Sequence, residues 1–226
     1  MHIEPGIVEG AKITLSYATA VGSFGLVGKV AIDTIKKDGA FSLLIRSIIT
    51  SLIVFCYFEV LPHHPIGVSE VHLIMGSTLF LLFGLAPTAI GLAAGLLLQG
   101  ALFAPADLPQ YGINLTTLLV PLFAMSALAK QIIPEHTAYK DIQYRHALAL
   151  STAYQGGIIA WVAFWAFYGQ GFGAENVAQV ASFGAAYLTV IIIEPLVDLA
   201  VLAIAKTAHQ FQNSPLVEKR LYSAAG

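Results

Sequence analysis

Two histidines stand where their chemistry would be unusual. His2 follows the first methionine directly in MHIEPG, and His72 lies in the apolar stretch GVSEVHLIMG. A chain that opens Met-His with its amine free is a chelator. The α-amine, with a pKa of about 7.7–8.0, deprotonates readily. The His2 backbone nitrogen, two carbons along, closes a five-membered ring, and His2 Nδ1 closes a six-membered one. Three nitrogens then share a plane, and one equatorial place is left that His72 could fill. Square-planar nitrogen sets suit Ni²⁺ or Cu²⁺, and imidazole also suits other late divalent metals. Met1 is expected to survive processing, because the aminopeptidases that remove it prefer a small second residue. The plainer alternative for His72 is a core histidine bonded to Ser69 or to a backbone carbonyl.

Other polar residues are weighed on the same scale. His63 and His64, in LPHHPIG, sit between two prolines and either guide a metal ion or are an incidental exposed pair. Glu4 and Glu9 could neutralise or guide a cation, while Glu4 also suits the start of a first helix signalled by Pro5. Glu70, two residues before His72, could orient an imidazole, although on a regular helix that spacing points elsewhere. Glu194, before Pro195, is an intramembrane carboxylate whose expected partners are Lys29, Arg46 or another subunit. His136, His146 and His209 read as surface residues. Cys56, the single cysteine, excludes a disulfide framework and reads as an inert core residue. No nucleophile elbow or HExxH is present to make Ser69 and His72 a hydrolase, so no enzymatic activity is expected. GSFGLVGKV is not a phosphate-binding loop, having five residues between its flanking glycines and no Ser or Thr after the lysine. If ATP powers this protein, another chain binds it.

The elements that position these residues must be membrane helices. The 226 residues are 57% hydrophobic and 11% charged, with a mean hydropathy of +0.77, whereas soluble domains are about 25% charged. A net charge of −2 does not suggest a nucleic-acid partner. Seven apolar spans are predicted, near 9–33, 43–61, 69–84, 86–104, 112–133, 147–168 and 177–205, separated by Pro-, Gly- or charge-rich connections. The expected fold is an all-α polytopic membrane bundle of about seven transmembrane helices forming a single domain over 1–226. A metal-binding segment at 1–8 opens it and a cytoplasmic tail from about 206 to 226 closes it. Gly6 with Gly10, Gly91 with Gly95, and Gly22, Gly25 and Gly28 are expected to be helix-packing positions.

Orientation follows from the basic residues. With the N-terminus outside and the C-terminus cytoplasmic, Lys29, Lys36, Lys37, Arg46, Lys130, Lys140, Arg145, Lys206, Lys219 and Arg220 fall inside and only Lys12 outside. Lys29 and Arg46 must then snorkel. The stretch ITLSYATAVGSFGLVGKV is too long, and too polar at its front, for a signal-peptide core.

At three stretches the chain resembles the substrate-capture (S) components of energy-coupling factor (ECF) transporters for cobalt and nickel, the CbiM/NikM family. MHI is followed by Glu and Gly; GVSEVHLIMG is similar to the family's Gly-Thr-Ser-Gly-His-Leu; and LLLQGALFAPADLPQYGIN is close to its LLLQ-x-LLF segment ending in Gly-x-Asn, with the same spacing from Gln99 to Asn114. The resemblance implies that Ni²⁺ or Co²⁺ is held by the Met1 amine, the His2 amide nitrogen and imidazole, and His72, with no organic cofactor. It implies that Asn114 hydrogen-bonds beside the site. It also implies a multi-pass protein of the plasma (inner) membrane, partnered by a membrane coupling subunit and cytoplasmic ATPase subunits, with room for a small accessory membrane protein. Two departures stand out: Glu4 precedes Pro5-Gly6 where the family has Glu-Gly at positions five and six, and the histidine stretch is one residue longer on each side of His72. An S component for an organic vitamin and a stand-alone metal channel are the competing functions.

Overall fold

The computed structural model describes residues 2–212 and 214–223, without the side chain of His209. Met1 lies outside the described residues. Seven α-helices are present among them: α1 (Thr14–Asp38), α2 (Ala40–Glu59), α3 (Gly76–Phe83), α4 (Leu85–Leu102), α5 (Tyr111–Ile132), α6 (Tyr144–Gln170) and α7 (Ala174–Thr207). Six helical segments are long and apolar enough to cross a membrane, and α3 is the exception. The chain is a multi-pass membrane protein.

The predicted span 69–84 is the one that changes character. It begins as a strand, continues as a loop and ends as a helix of eight residues, about 12 Å long at 1.5 Å per residue. The strands β1 (His64–Ile66) and β2 (Ser69–Val71) form an antiparallel hairpin. Its turn holds Gly67 at φ +64°, where an added Cβ would overlap the Gln179 carbonyl oxygen, so only glycine fits. The N-terminal segment lies along β2 as a third strand. Ile3 bridges Ser69, Glu70 N donates to the His2 carbonyl at 3.0 Å, and Glu4 N donates to the Val68 carbonyl at 3.1 Å. Glu4 therefore does not cap the first helix: a 3-10 turn over Gly10–Ile13 intervenes before α1 begins at Thr14.

Buried non-helical backbone must find polar partners within the protein, and α7 supplies them. The Tyr187 hydroxyl lies 3.4 Å from His72 N and 3.3 Å from His72 O. Glu194 accepts from Ser77 N at 3.3 Å, Ser151 Oγ at 2.6 Å and Gln155 Nε2 at 2.8 Å. Asp198, one turn further on, accepts from the hydroxyls of Ser77 and Thr78. Ser77 is the second residue of α3, where an N-cap side chain would normally bond. α7 thus caps α3 from across the bundle, and Glu194 turns onto α3 and α6 rather than toward Lys29 or Arg46.

Arg46 does not snorkel. It is 0% exposed and donates to Asp38 at 2.6 Å, Glu218 at 2.9 Å and the Phe83 carbonyl at 3.0 Å. Residues 214–223 fold back to make this possible: Glu218 N donates to the Leu82 carbonyl at 2.7 Å, and Lys219 pairs with Asp38 at 2.9 Å. Of the glycine pairs, Gly91 and Gly95 do pack, against Thr50 and Val54 of α2. Gly22, Gly25 and Gly28 have no atoms within reach of an added Cβ, and Gly6 and Gly10 serve turns at φ +92° and +59°. Cys56 faces outward on α2 rather than into the core.

Candidate metal centre

β2 brings the site together. Successive side chains of a strand alternate faces, and His72 directly follows β2; with that alternation carried one residue past the strand's end, Glu70 and His72 come to the same side, 3.6 Å apart, which a helix would have prevented. The third-strand pairing of residues 2–4 then lays His2 beside them. Among the described residues, His2, Glu70 and His72 form a group whose ligand atoms all lie within 4.8 Å of one another. His2 Nδ1 is 3.0 Å from Glu70 Oε2, and His72 Nε2 is 3.6 Å from the same oxygen. The two imidazole rings meet edge-on at 5.4 Å, with Phe58 against both at 5.5 and 5.1 Å.

Both histidines are enclosed, His2 at 4% and His72 at 1% exposure. Burial holds their pKa values below the ordinary imidazole value, which keeps the rings neutral and able to act as ligands. The hydrogen bond from His2 holds the Glu70 carboxyl below its usual range. Neutral nitrogens beside an ionised carboxylate make the site attractive to a cation. Asp107, in the 3-10 turn Pro105–Gln110 after α4, adds a second carboxylate 4.0 Å from His2 Nδ1. Burial, then the nearby Glu70 and Asp107, raise the pKa of Glu4.

The N-terminal strand is pinned on both sides. Ser69 Oγ donates to the His2 carbonyl at 2.9 Å, and Asn114 Oδ1 accepts from Ile3 N at 2.9 Å. Ser69 is thereby committed to the strand and not to His72. The His63 ring stacks on His72, 4.9 Å away and 10° from parallel, while His64 is exposed on β1. His136 lines a cleft at the other end of the bundle. His146 is buried rather than superficial, forming a capping box with Gln143 at the start of α6. Asp107 carried no sequence signal beyond its place in the loop before Asn114.

Residues 2–210 match the family described as the cobalt uptake substrate-specific transmembrane region. Two solved structures share the fold, each with a TM-score of 0.69 and 17% identity. One is described as a truncated transition metal transporter, covering 92% of this chain and 99% of its own. The other, described as a transition metal transporter, covers 94% of this chain and 98% of its own. No curated protein matches the chain.

Proposed function

The chain belongs to the CbiM family of cobalt uptake substrate-specific transmembrane regions, and from that premise we propose that it is the metal-capturing subunit of an ECF-type importer for Ni²⁺ or Co²⁺. Its ligands are the Met1 amine, the His2 amide nitrogen and imidazole, and His72. The observation that carries the proposal is the meeting of His2 and His72, two enclosed imidazoles seventy positions apart in sequence, beside an ionised carboxylate. Core histidines kept for packing alone would not need the second ring or the charge.

The orientation is part of the proposal. His2 and His72 lie at the end of the bundle where Lys12 donates to the Gly169 carbonyl at 2.8 Å, and the basic network of Arg46, Lys37 and Lys219 around Asp38 and Glu218 closes the opposite end. The positive-inside tendency then places capture outside and release inside. The coupling subunit and the ATPases supply the energy, and His63, stacked on His72, with His64 and Glu4 nearby in sequence to the two ligand segments, guides the ion in.

Reconstitution into vesicles tests this directly. Accumulation of Ni²⁺ or Co²⁺ is expected only when the coupling and ATPase subunits and ATP are present. Accumulation by this chain alone would make it a channel and overturn the proposal.

A further inference from the structure

Glu70 lies closer to both imidazoles than a bystander needs to be, and its place is fixed by main-chain bonds. Its amide donates to the His2 carbonyl, so its carboxylate travels with His2. The family stretch that GVSEVHLIMG resembles, Gly-Thr-Ser-Gly-His-Leu, has no acidic residue before its histidine. In this chain the longer GVSEVHL places one, Glu70, within β2 and 3.6 Å from the His72 ring just beyond it.

The decisive atom is His2 Nδ1. An imidazole nitrogen carries either a proton or an available lone pair. Facing Glu70 at 3.0 Å, Nδ1 carries the proton. Bound to a metal in the six-membered ring, it has none, so the hydrogen bond to Glu70 and coordination exclude each other. Glu70 then loses its donor, and a half-buried carboxylate is left facing the cation that displaced it. Ligand bonds to such ions are about 2.0–2.2 Å for nitrogen and carboxylate oxygen alike. A cation bonded to His2 Nδ1 and His72 Nε2 sits between atoms that already lie 3.0 and 3.6 Å from Glu70 Oε2. A side-chain rotation closes the remaining distance.

We propose that Glu70 is a direct ligand of the transported cation, adding a carboxylate oxygen outside the plane of the nitrogen donors and making the site five-coordinate. The inference rests on the metal-capture reading above. It has a consequence for selectivity. An out-of-plane oxygen removes the advantage that a square-planar nitrogen set gives Ni²⁺ and shifts the site toward Co²⁺. It also cancels one of the cation's two charges inside an enclosed site, where an uncompensated charge is costly.

A different arrangement uses the same residues. His2 Nε2 is buried and has no hydrogen-bond partner among the described residues; were it the ligand, Nδ1–H would stay on Glu70 as a carboxylate–histidine–metal relay. The chelate ring through the His2 amide could not then close, and removing Glu70 would leave the coordination number unchanged.

The test uses full-length protein beginning at Met1, loaded with Ni²⁺ alone and then with Co²⁺ alone. Four-coordinate planar Ni²⁺ is diamagnetic, and five-coordinate Ni²⁺ with an axial oxygen is paramagnetic. Wild type is expected to hold paramagnetic Ni²⁺, and Glu70→Ala diamagnetic Ni²⁺. Co²⁺ affinity should fall at least about tenfold in the variant, with a smaller loss for Ni²⁺. Glu70→Gln, which keeps the side chain's shape, should show the same loss of Co²⁺ preference if alanine disturbs folding. Diamagnetic Ni²⁺ in wild type, or the same magnetic state with and without Glu70, would overturn the assignment while leaving metal capture standing. Failure of wild type to bind either ion would overturn both.

Discussion

Asn114 offers the cleanest quantitative handle on how the site is assembled. Its Oδ1 accepts the Ile3 amide at 2.9 Å, and both residues are 2% exposed, so water cannot replace the lost partner. Asn114→Ala strands a buried N–H whenever the N-terminal strand is docked, at a cost of about 1–3 kcal/mol. That cost falls on docking and not on the helical bundle, since α5 keeps its own hydrogen bonds. Amides that open only when the strand leaves exchange with solvent in proportion to the opening constant. At about 1.4 kcal/mol per factor of ten, the amides of Glu4 and Glu70, which bond to Val68 and His2, should exchange roughly 5–150-fold faster. Amides within α5 and α6 should not change. Hydrogen exchange read by mass spectrometry on detergent-solubilised protein measures this, and Asn114→Asp, which keeps an acceptor, should restore most of the protection. Exchange at Glu4 and Glu70 within twofold of wild type would refute the idea that Asn114 holds the strand in place.

Three further outcomes follow from the same structure. Arg46→Met should lower stability by about 3–5 kcal/mol, because Asp38 and Glu218 would be left without their buried partner; an unchanged thermal transition in detergent would count against the network. Gly95→Leu should disrupt the α2–α4 contact, where an added Cβ already meets Val54 at 2.6 Å, whereas Gly28→Leu should be tolerated because nothing lies within reach; equal yields of folded protein would contradict this packing. Acid should loosen the N-terminal strand. His2 and His72 have pKa values depressed by burial, so their contribution is present above about pH 6.5, the unfolded value, and is lost as pH falls through the folded values. Glu70, held low by His2, works in the same direction at lower pH. Intrinsic-rate-corrected exchange of the Glu4 and Glu70 amides should therefore rise between about pH 7 and pH 5.5, and a fall would reverse the sign of the argument.

Six of the seven spans were legible because long apolar runs admit few alternatives in a membrane, and the structure places each helix within several residues of its prediction. The 69–84 run was not, since a short apolar stretch does not distinguish strand from helix. Gly67 before it marked a turn, yet the run was long enough to pass for a span. The same ambiguity hides Glu70, because helical spacing turns it away from His72 and the strand does not obey that spacing. The closeness of His2 and His72 was legible from chelate chemistry and from their expected placement on one side of the bundle, while their role as ligands belongs to the proposal. Arg46 was misjudged for a different reason: its partners, Asp38 and Glu218, are 8 and 172 positions away, and nothing in local pattern announces that the tail returns to cover it. Glu194 and Asp198 share this property, their bonds to Ser77 and Thr78 joining segments about 120 positions apart.

Met1 and His2 are proposed to chelate the transported ion together with His72. Selective acetylation of the Met1 amine removes its lone pair from the donor set while leaving every side chain in the chain intact. Equilibrium binding of Ni²⁺ and Co²⁺ to the purified acetylated protein, against the unacetylated one, decides the matter. A loss of affinity of at least about a hundredfold, close to 3 kcal/mol, is expected; unchanged affinity would remove the Met1 amine from the donor set.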